Sequence, residues 1–162
     1  MPREIRNVLA ANRGEIAIRI FRACTELGLE TTAIYSWEDR LAIHRYKADR
    51  AYQVGQADEP IESYLDQEAI IRLAQRKRVD AIHPGYGFLS ENAAFAERVI
   101  DAGITWIGPP PEAMRKLGDK VSARQVAREA GVPVVPGSDG AIEDLEQARA
   151  FAGEFGYPVL LK

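Results

Sequence analysis

The sequence has 162 residues, 46% hydrophobic and 28% charged, which is the balance of a globular chain long enough for one domain and part of another. Its 21 basic and 24 acidic side chains are interspersed and leave a net charge of −3, so no nucleic-acid or anionic-membrane partner is indicated. No apolar run approaches the roughly 20 residues that cross a bilayer, and the first residues form no signal segment, so we expect a cytoplasmic protein. The single cysteine, Cys24, excludes an internal disulfide and a cysteine-rich metal site.

Short apolar runs alternate with amphipathic stretches along the first 108 residues. The predicted strands are 8–11, 31–35, 51–54, 79–83 and 104–107, and the predicted helices between them are 14–27, 65–77 and 91–102. The strands are continuous rather than alternating apolar runs, as expected when helices cover both faces of a parallel sheet. The sequence therefore predicts an α/β fold with an open, doubly wound parallel sheet.

The proline-rich stretch from Gly108 to Pro111 marks a predicted boundary. It divides the chain into a first domain, residues 1–112, and a second region, residues 113–162. From the proline stretch onward, the sequence predicts helices at about 111–117, 119–130 and 142–155, a Pro/Gly-rich loop at 132–140 and the start of a strand at 158. Because an unpaired apolar strand rarely ends a domain, we expect this second domain to be truncated.

The first predicted strand-to-helix turn contains Gly14 and Glu15. A glycine there could bring a phosphate to the helix N-terminus, but the three-glycine dinucleotide fingerprint is missing and Glu15 would repel an anion. A tight turn is therefore favoured over a phosphate site.

The helix that follows has an apolar and a charged face. Ile16, Ile20, Cys24 and Leu27 share the apolar face, which predicts that Cys24 is a packed core thiol rather than a nucleophile. The charged face carries Glu15, Arg19, Arg22 and Glu26, with Glu15 and Arg19 spaced as a favourable i,i+4 pair. This face is either solvated or part of a subunit contact.

The most unusual segment is His83–Asn92, which follows a strand and runs into a helix, at the edge where open α/β sheets bind ligands. Ser90 is the predicted N-cap, with Glu91 in the first turn, and a capped helix after a tight turn explains the segment equally well. His83 is better explained as a hydrogen-bonded strand-end residue than as a metal ligand, because no second ligand stands close by. His44, in a charged stretch predicted as a loop, has no partner ligand either.

Two lysines stand at notable positions. Lys120 lies at a predicted helix start, and Lys162 ends an apolar strand. Each lysine taken singly is typical of a solvated surface. A lysine at the end of a buried strand, however, also suits a phosphate or adenine contact.

Five stretches of the sequence, taken together, resemble one known family. They are Ala11–Ala17, His83–Asn92, Gly118–Lys120, Val132–Gly137 and Gly156–Lys162. They occur in this order in biotin carboxylases, and the chain resembles that family along its whole length. Residues 38–55 and 60–65 look most like the pyruvate carboxylase branch, with acetyl-CoA and propionyl-CoA carboxylases as near alternatives.

The resemblance implies a pre-ATP-grasp domain followed by the start of an ATP-grasp domain. It also implies that ATP activates bicarbonate as carboxyphosphate and that the carboxyl group passes to the ureido nitrogen of biotin. Lys120 and Lys162 match lysines that contact ATP in this family. Tyr86, Gly87 and Glu91 match the stretch that faces biotin and bicarbonate.

The resemblance further implies ATP with Mg²⁺ and biotin on a carrier domain as cofactors, with carboxyltransferase and carrier domains or subunits as partners. Arg22 and Glu26 match a dimer contact, so a homo-oligomer is expected. The Gly-rich lid, the metal ligands and the catalytic residues are expected outside this chain, which alone should not turn over. A non-catalytic interaction module and a dinucleotide-dependent oxidoreductase are the alternatives from other classes, the latter disfavoured by the missing fingerprint.

Overall fold

A computed structural model describes residues 4–118, 120–134, 142 and 144–159, without the side chains of Lys120, Val121 and Phe155. The chain forms two compact units, Met1–Met114 and Arg115–Lys162. No described helix combines the length and the apolar character needed to cross a bilayer.

The first unit is a five-stranded sheet with all neighbouring strands parallel, in the order β3-β2-β1-β4-β5. The strands are β1 (Asn7–Ala10), β2 (Glu30–Tyr35), β3 (Arg50–Gln53), β4 (Ala81–His83) and β5 (Thr105–Trp106). The helices are α1 (Gly14–Glu26), α2 (Ile43–Lys47), α3 (Glu62–Leu65), α4 (Gln67–Arg76) and α5 (Ala93–Asp101). The predicted doubly wound parallel sheet is therefore confirmed.

Strand β1 is buried on both faces because the sheet has a separate apolar core on each side. Leu9 packs in one core with residues of α4 and α5, such as Ile70 and Phe95. Val8 packs in the other core with residues of α1, such as Phe21. Successive strand residues point to opposite faces, so a strand covered on both sides carries a continuous apolar run, as from Val8 to Ala10.

Two helix boundaries differ from the prediction. The helix predicted at 65–77 is divided at Asp66, whose carboxylate accepts a hydrogen bond from the Ala69 N–H at 3.0 Å and so caps a new helix. The predicted cap Ser90 is wrong. Asn92 caps α5 by accepting from the Phe95 N–H at 2.9 Å, while the Ser90 N–H donates to the Gly87 carbonyl oxygen within a turn. Glu91 therefore precedes the helix.

The predicted loop around His44 is also wrong. A 3-10 helix, Glu38–Leu41, and then α2 occupy this stretch. His44 is fully buried, and its Nε2 lies 3.1 Å from the carbonyl oxygen of Ile34. Burial lowers the pKa of His44, which favours the neutral ring. A five-residue helix is too short for its period to show among charged neighbours.

Helix α1 buries a slightly different face from the one predicted. Ala17, Ile20, Phe21 and Cys24 are buried. Leu27, predicted on the apolar face, is 74% exposed because the helix ends at Glu26 and Leu27 forms its C-cap. The predicted core position of Cys24 is confirmed, and burial raises the pKa of its thiol.

The second unit contains α7 (Lys120–Glu129) and α8 (Leu145–Phe155), and α6 (Pro111–Gly118) crosses the division between the units. Helix α8 begins later than predicted because Asp144 caps it, accepting from the Gln147 N–H at 2.8 Å. The predicted loop residues 135–140 and most of the predicted final strand, residues 160–162, lie outside the described residues.

Candidate functional site

The strand order creates a topological switch point between β1 and β4. The chain leaves β1 towards β2 on one side, whereas it leaves β4 towards β5 on the other. In open parallel sheets, ligands bind in the crevice that this divergence leaves outside the carboxyl ends of the two strands. Residues 84–92, here named the switch-point loop, follow β4 at this edge.

The first turn of the chain meets the switch-point loop directly. The Ala11 N–H donates to the His83 carbonyl oxygen at 2.9 Å, which continues the pairing of β1 and β4. The Gly85 N–H donates to Nδ1 of His83 at 3.0 Å. His83 is therefore a hydrogen-bonded strand-end residue, as predicted, and burial lowers its pKa and favours the neutral ring that can accept this bond.

The backbone of the loop is left-handed at three residues: Gly85, Gly87 and Phe88. A Cβ atom on Gly85 would lie 2.7 Å from Nδ2 of Asn12, so no larger residue fits without a shift. A Cβ atom on Gly87 would meet no described atom within 4 Å. Gly87 thus leaves the loop backbone open to a ligand.

The predicted ligand-facing residues come together on this loop. Tyr86 is 66% exposed, and Gly87 and Glu91 are exposed as well. The loop therefore presents an aromatic ring, an accessible glycine backbone and a carboxylate at the switch-point edge.

Asn12 holds the loop from below and was missed by sequence reasoning. Its side chain is 3% exposed, and its Nδ2 donates to the carbonyl oxygens of Pro84 at 2.7 Å and Tyr86 at 2.8 Å. Its Oδ1 accepts from the Arg13 N–H at 2.9 Å. The available signal was a carboxamide placed directly after a buried strand, where a polar side chain needs partners.

Arg13 and Asp39 form an ion pair beside this turn. Arg13 donates from Nε and Nη2 to the two carboxylate oxygens of Asp39, at 2.5 Å and 2.6 Å. Asp39 is 8% exposed, and the Arg13 guanidinium holds the pKa of Asp39 below its usual range. Bidentate geometry of this kind fixes both side chains.

Tyr64 connects the ion pair to the middle of the switch-point loop. Its hydroxyl donates to Oδ2 of Asp39 at 2.6 Å and accepts from the Ser36 N–H at 3.2 Å. Burial is the main cause of the raised pKa of Tyr64, and the hydrogen bond to Asp39 raises it further. The Tyr64 ring stacks on Phe88, with 5.2 Å between ring centroids. Sequence reasoning missed Arg13, Asp39 and Tyr64 as a cluster.

The other predicted site residues lie elsewhere. Arg22 and Glu26 are exposed on α1 and form an i,i+4 ion pair at 3.0 Å. The predicted Glu15–Arg19 pair on the same helix is confirmed at 2.5 Å. Lys120 begins α7, but its side chain is outside the described part of the structure.

Lys162 lies outside the described residues altogether. Within the described residues, no three His, Cys, Asp or Glu side chains are grouped so that they could hold a metal ion.

Comparison of the sequence with family models gives the class of protein to which this fold and its switch-point loop belong. Residues 4–114 match the family model for the biotin carboxylase N-terminal domain, and the chain belongs to this family. Residues 119–162 match the model for the ATP-binding domain of the carbamoyl-phosphate synthase L chain.

Several relatives that the chain matches are pyruvate carboxylases. Pyruvate carboxylase of Bacillus subtilis (strain 168) is 59% identical over 158 residues, which are 98% of this chain and 14% of the relative. The mitochondrial pyruvate carboxylase of Homo sapiens is 55% identical over 158 residues, 98% of this chain and 13% of the relative. The chain therefore spans a small part of the length of these relatives.

A solved structure supports the same fold. The biotin carboxylase domain dimer of 2-oxoglutarate carboxylase from Hydrogenobacter thermophilus, in complex with MgADP, ADP and bicarbonate, is 48% identical. The match has a TM-score of 0.88 and covers 96% of this chain and 34% of that one.

Proposed function

We propose that this chain is the N-terminal part of an ATP-dependent biotin carboxylase, which forms carboxybiotin from bicarbonate, ATP and biotin. We further propose that the whole enzyme is a pyruvate carboxylase, an ATP-dependent ligase that makes oxaloacetate. The observation that carries the proposal is the exposed, glycine-containing switch-point loop in a chain of the biotin carboxylase family. The identity to pyruvate carboxylases supports the choice of acceptor.

In this proposal, Tyr86, Gly87 and Glu91 face biotin and bicarbonate. The fit to biotin is supported by the open surface above Gly87, where a ligand can approach the backbone, and by the exposed ring of Tyr86. A carboxylate such as Glu91 repels bicarbonate unless cationic side chains offset it. We therefore infer that basic residues from a part of the protein outside this chain hold the anion.

Lys120 and Lys162 are proposed to contact ATP. ATP with Mg²⁺ supplies the phosphoryl group that activates bicarbonate, and fixed positive charge on the phosphate oxygens stabilises the transfer. The match of residues 119–162 to an ATP-binding domain model supports this role, as does the MgADP named for the Hydrogenobacter relative.

Arg22 and Glu26 are proposed to lie at a dimer contact. Both are exposed on α1, and the related biotin carboxylase domain is described as a dimer. The further proposed partners are a biotin carrier and a carboxyltransferase, as domains or subunits. A cytoplasmic location is part of the proposal, although relatives include mitochondrial pyruvate carboxylases.

The test is ATP cleavage by the purified full-length protein with bicarbonate added or left out, and with biotin on the carrier domain present or absent. Cleavage that needs both compounds is expected, followed by oxaloacetate formation when pyruvate is the acceptor. Product formation from acetyl-CoA, propionyl-CoA or 2-oxoglutarate instead would reassign the acceptor. If no biotin-dependent cleavage is found, the proposed enzymatic function is refuted and a non-catalytic interaction module remains as the alternative.

A further inference from the structure

The switch-point loop reaches solvent through Tyr86 and Gly87, yet its carbonyl oxygens are bound from the interior. One side-chain amide, that of Asn12, donates to the carbonyl oxygens of both Pro84 and Tyr86. With Oδ1 bonded to the Arg13 N–H, all three bonds of this carboxamide run to backbone atoms. Asn12 thus joins the turn after β1 to the loop after β4.

We propose that Asn12 is a positioning residue, which holds the backbone of residues 84–87 in the orientation that presents Tyr86 and Gly87 to biotin. This inference rests on the proposed function of the same loop. Asn12 is buried and does not reach the exposed face itself, so it acts through the loop.

The orientation of one peptide unit carries the argument. In a trans peptide the C=O and the N–H point in opposite directions. Because the Tyr86 carbonyl oxygen points inward to Asn12, the Gly87 N–H of the same peptide unit points away from Asn12. Without the Asn12 amide, the peptide unit between Tyr86 and Gly87 loses the hydrogen bond that keeps its carbonyl oxygen inward and its N–H outward.

The residue type matters at this position. Two carbonyl oxygens need two N–H donors from one group, which an amide supplies and a carboxylate or an alanine does not. The space is also limited, since Nδ2 of Asn12 lies 2.7 Å from where a Cβ atom on Gly85 would be. Asn12 and Gly85 therefore fit together as a pair.

The second half of the loop is held differently. Phe88 stacks on Tyr64, and Asn92 caps α5. Removal of the Asn12 amide is therefore expected to release residues 84–87 while α5 stays in place. This division gives a local readout that general destabilisation would not produce.

The matched control is Asn7, a second buried asparagine. It lies at the opposite end of β1, and its Oδ1 accepts from the Thr32 hydroxyl at 2.8 Å. Asn7→Ala removes a side chain of the same size and burial from the edge that does not carry the loop.

The first measurement is residue-resolved hydrogen exchange on the 162-residue chain. In Asn12→Ala, exchange of the Gly85 amide should be on the order of tenfold faster, while the Phe95 amide keeps its rate. Asn7→Ala should leave the Gly85 amide unchanged. Equal acceleration at both amides, or none at Gly85, would overturn the proposal. If Asn12→Ala does not fold, Asn12→Ser, which keeps one donor, is expected to give a smaller acceleration confined to residues 84–87.

The second measurement is steady-state kinetics of the full-length protein prepared without biotin on its carrier, with free biotin as substrate. Asn12→Ala should raise KM for biotin on the order of 10-fold and leave KM for ATP within about twofold, because only the biotin-facing loop is displaced. Asn7→Ala should change neither constant. An unaltered KM for biotin in an active Asn12→Ala protein would refute the positioning role alone. Absence of biotin-dependent activity in the unsubstituted protein would instead refute the proposed function.

Discussion

Gly85 and Gly87 have nearly the same φ, +68° and +67°, but different surroundings. Alanine at either residue meets the cost of a left-handed backbone, roughly 1–2 kcal/mol. Only at Gly85 would the new Cβ also overlap Asn12. We expect Gly85→Ala to lower the free energy of unfolding by about 1–3 kcal/mol more than Gly87→Ala, as measured by urea denaturation. Equal losses in the two variants would show that the overlap is relieved at no cost.

The pair of Asp39 and Arg13 predicts a pH dependence of stability. The pKa of Asp39 is lowered in the folded state by the Arg13 guanidinium. The stability that ionised Asp39 contributes is therefore present above its unfolded pKa of about 4 and is lost as the pH falls through the lower folded pKa. The difference in unfolding free energy between the parent and Asp39→Asn should be largest near neutral pH and shrink below about pH 4.

Glu15→Gln is the control for this titration. Glu15 is paired with Arg19 at 2.5 Å, but both side chains are largely exposed, so the pair is screened by solvent. We expect Glu15→Gln to have little effect at either pH. A difference for Asp39→Asn that stayed constant down to acid pH would mean that the ion pair does not stabilise the fold.

At the scale of the element, the start of α5 separates two candidate caps. Asn92 accepts from the Phe95 N–H, whereas the Ser90 N–H is engaged in the turn before the helix. Loss of an N-cap side chain costs about 1 kcal/mol. Asn92→Ala is therefore expected to lower the free energy of unfolding by about 1 kcal/mol and Ser90→Ala by clearly less. Thermal denaturation of both variants measures these losses. A larger loss for Ser90→Ala than for Asn92→Ala would show that Ser90 is the cap.

The larger elements were predictable because their signals are local. Continuous apolar runs identified β1 and β4, and the helical period identified α1. The switch-point loop could be placed at the ligand-binding edge because every parallel strand ends at the same edge. Helix α2 could not be predicted, since one turn and a half shows no period.

The network beneath the loop could not be predicted because its contacts are distant along the chain. Asn12 bonds to Tyr86, 74 residues away, and Tyr64 bonds to Asp39, 25 residues away. No periodicity or spacing connects such residues before the sheet is formed. The ligand-facing residues were inferred from a resemblance, whereas the residues that support them had to be read from the structure.

At the scale of the whole molecule, the ion pair of Arg22 and Glu26 tests the proposed dimer. The pair is exposed, so its loss should hardly change the stability of a single chain. In the full-length protein, Arg22→Ala with Glu26→Ala is expected to raise the dimer dissociation constant about tenfold or more, as for a contact whose truncation costs over 1 kcal/mol. Sedimentation velocity at several concentrations measures it.

Helix α4 supplies the matched control. Glu68 and Arg72 form another exposed i,i+4 ion pair, and neither residue is proposed to meet a partner. Alanine at both positions should leave the dimer dissociation constant unchanged. If the two double variants behave alike, the charged face of α1 is simply solvated.

The pairing of β1 with β4 has a consequence for synthesis of the chain. Strand β1 lies in the centre of the sheet, but its neighbour β4 begins at Ala81, after β2, β3 and four helices have been made. Until β4 emerges from the ribosome, one edge of β1 is unpaired and Asn12 has no carbonyl oxygen to bind. The ligand-binding edge is therefore assembled only once β4 and the loop after it have left the ribosome, and until then the nascent chain exposes an apolar strand edge that chaperones can bind.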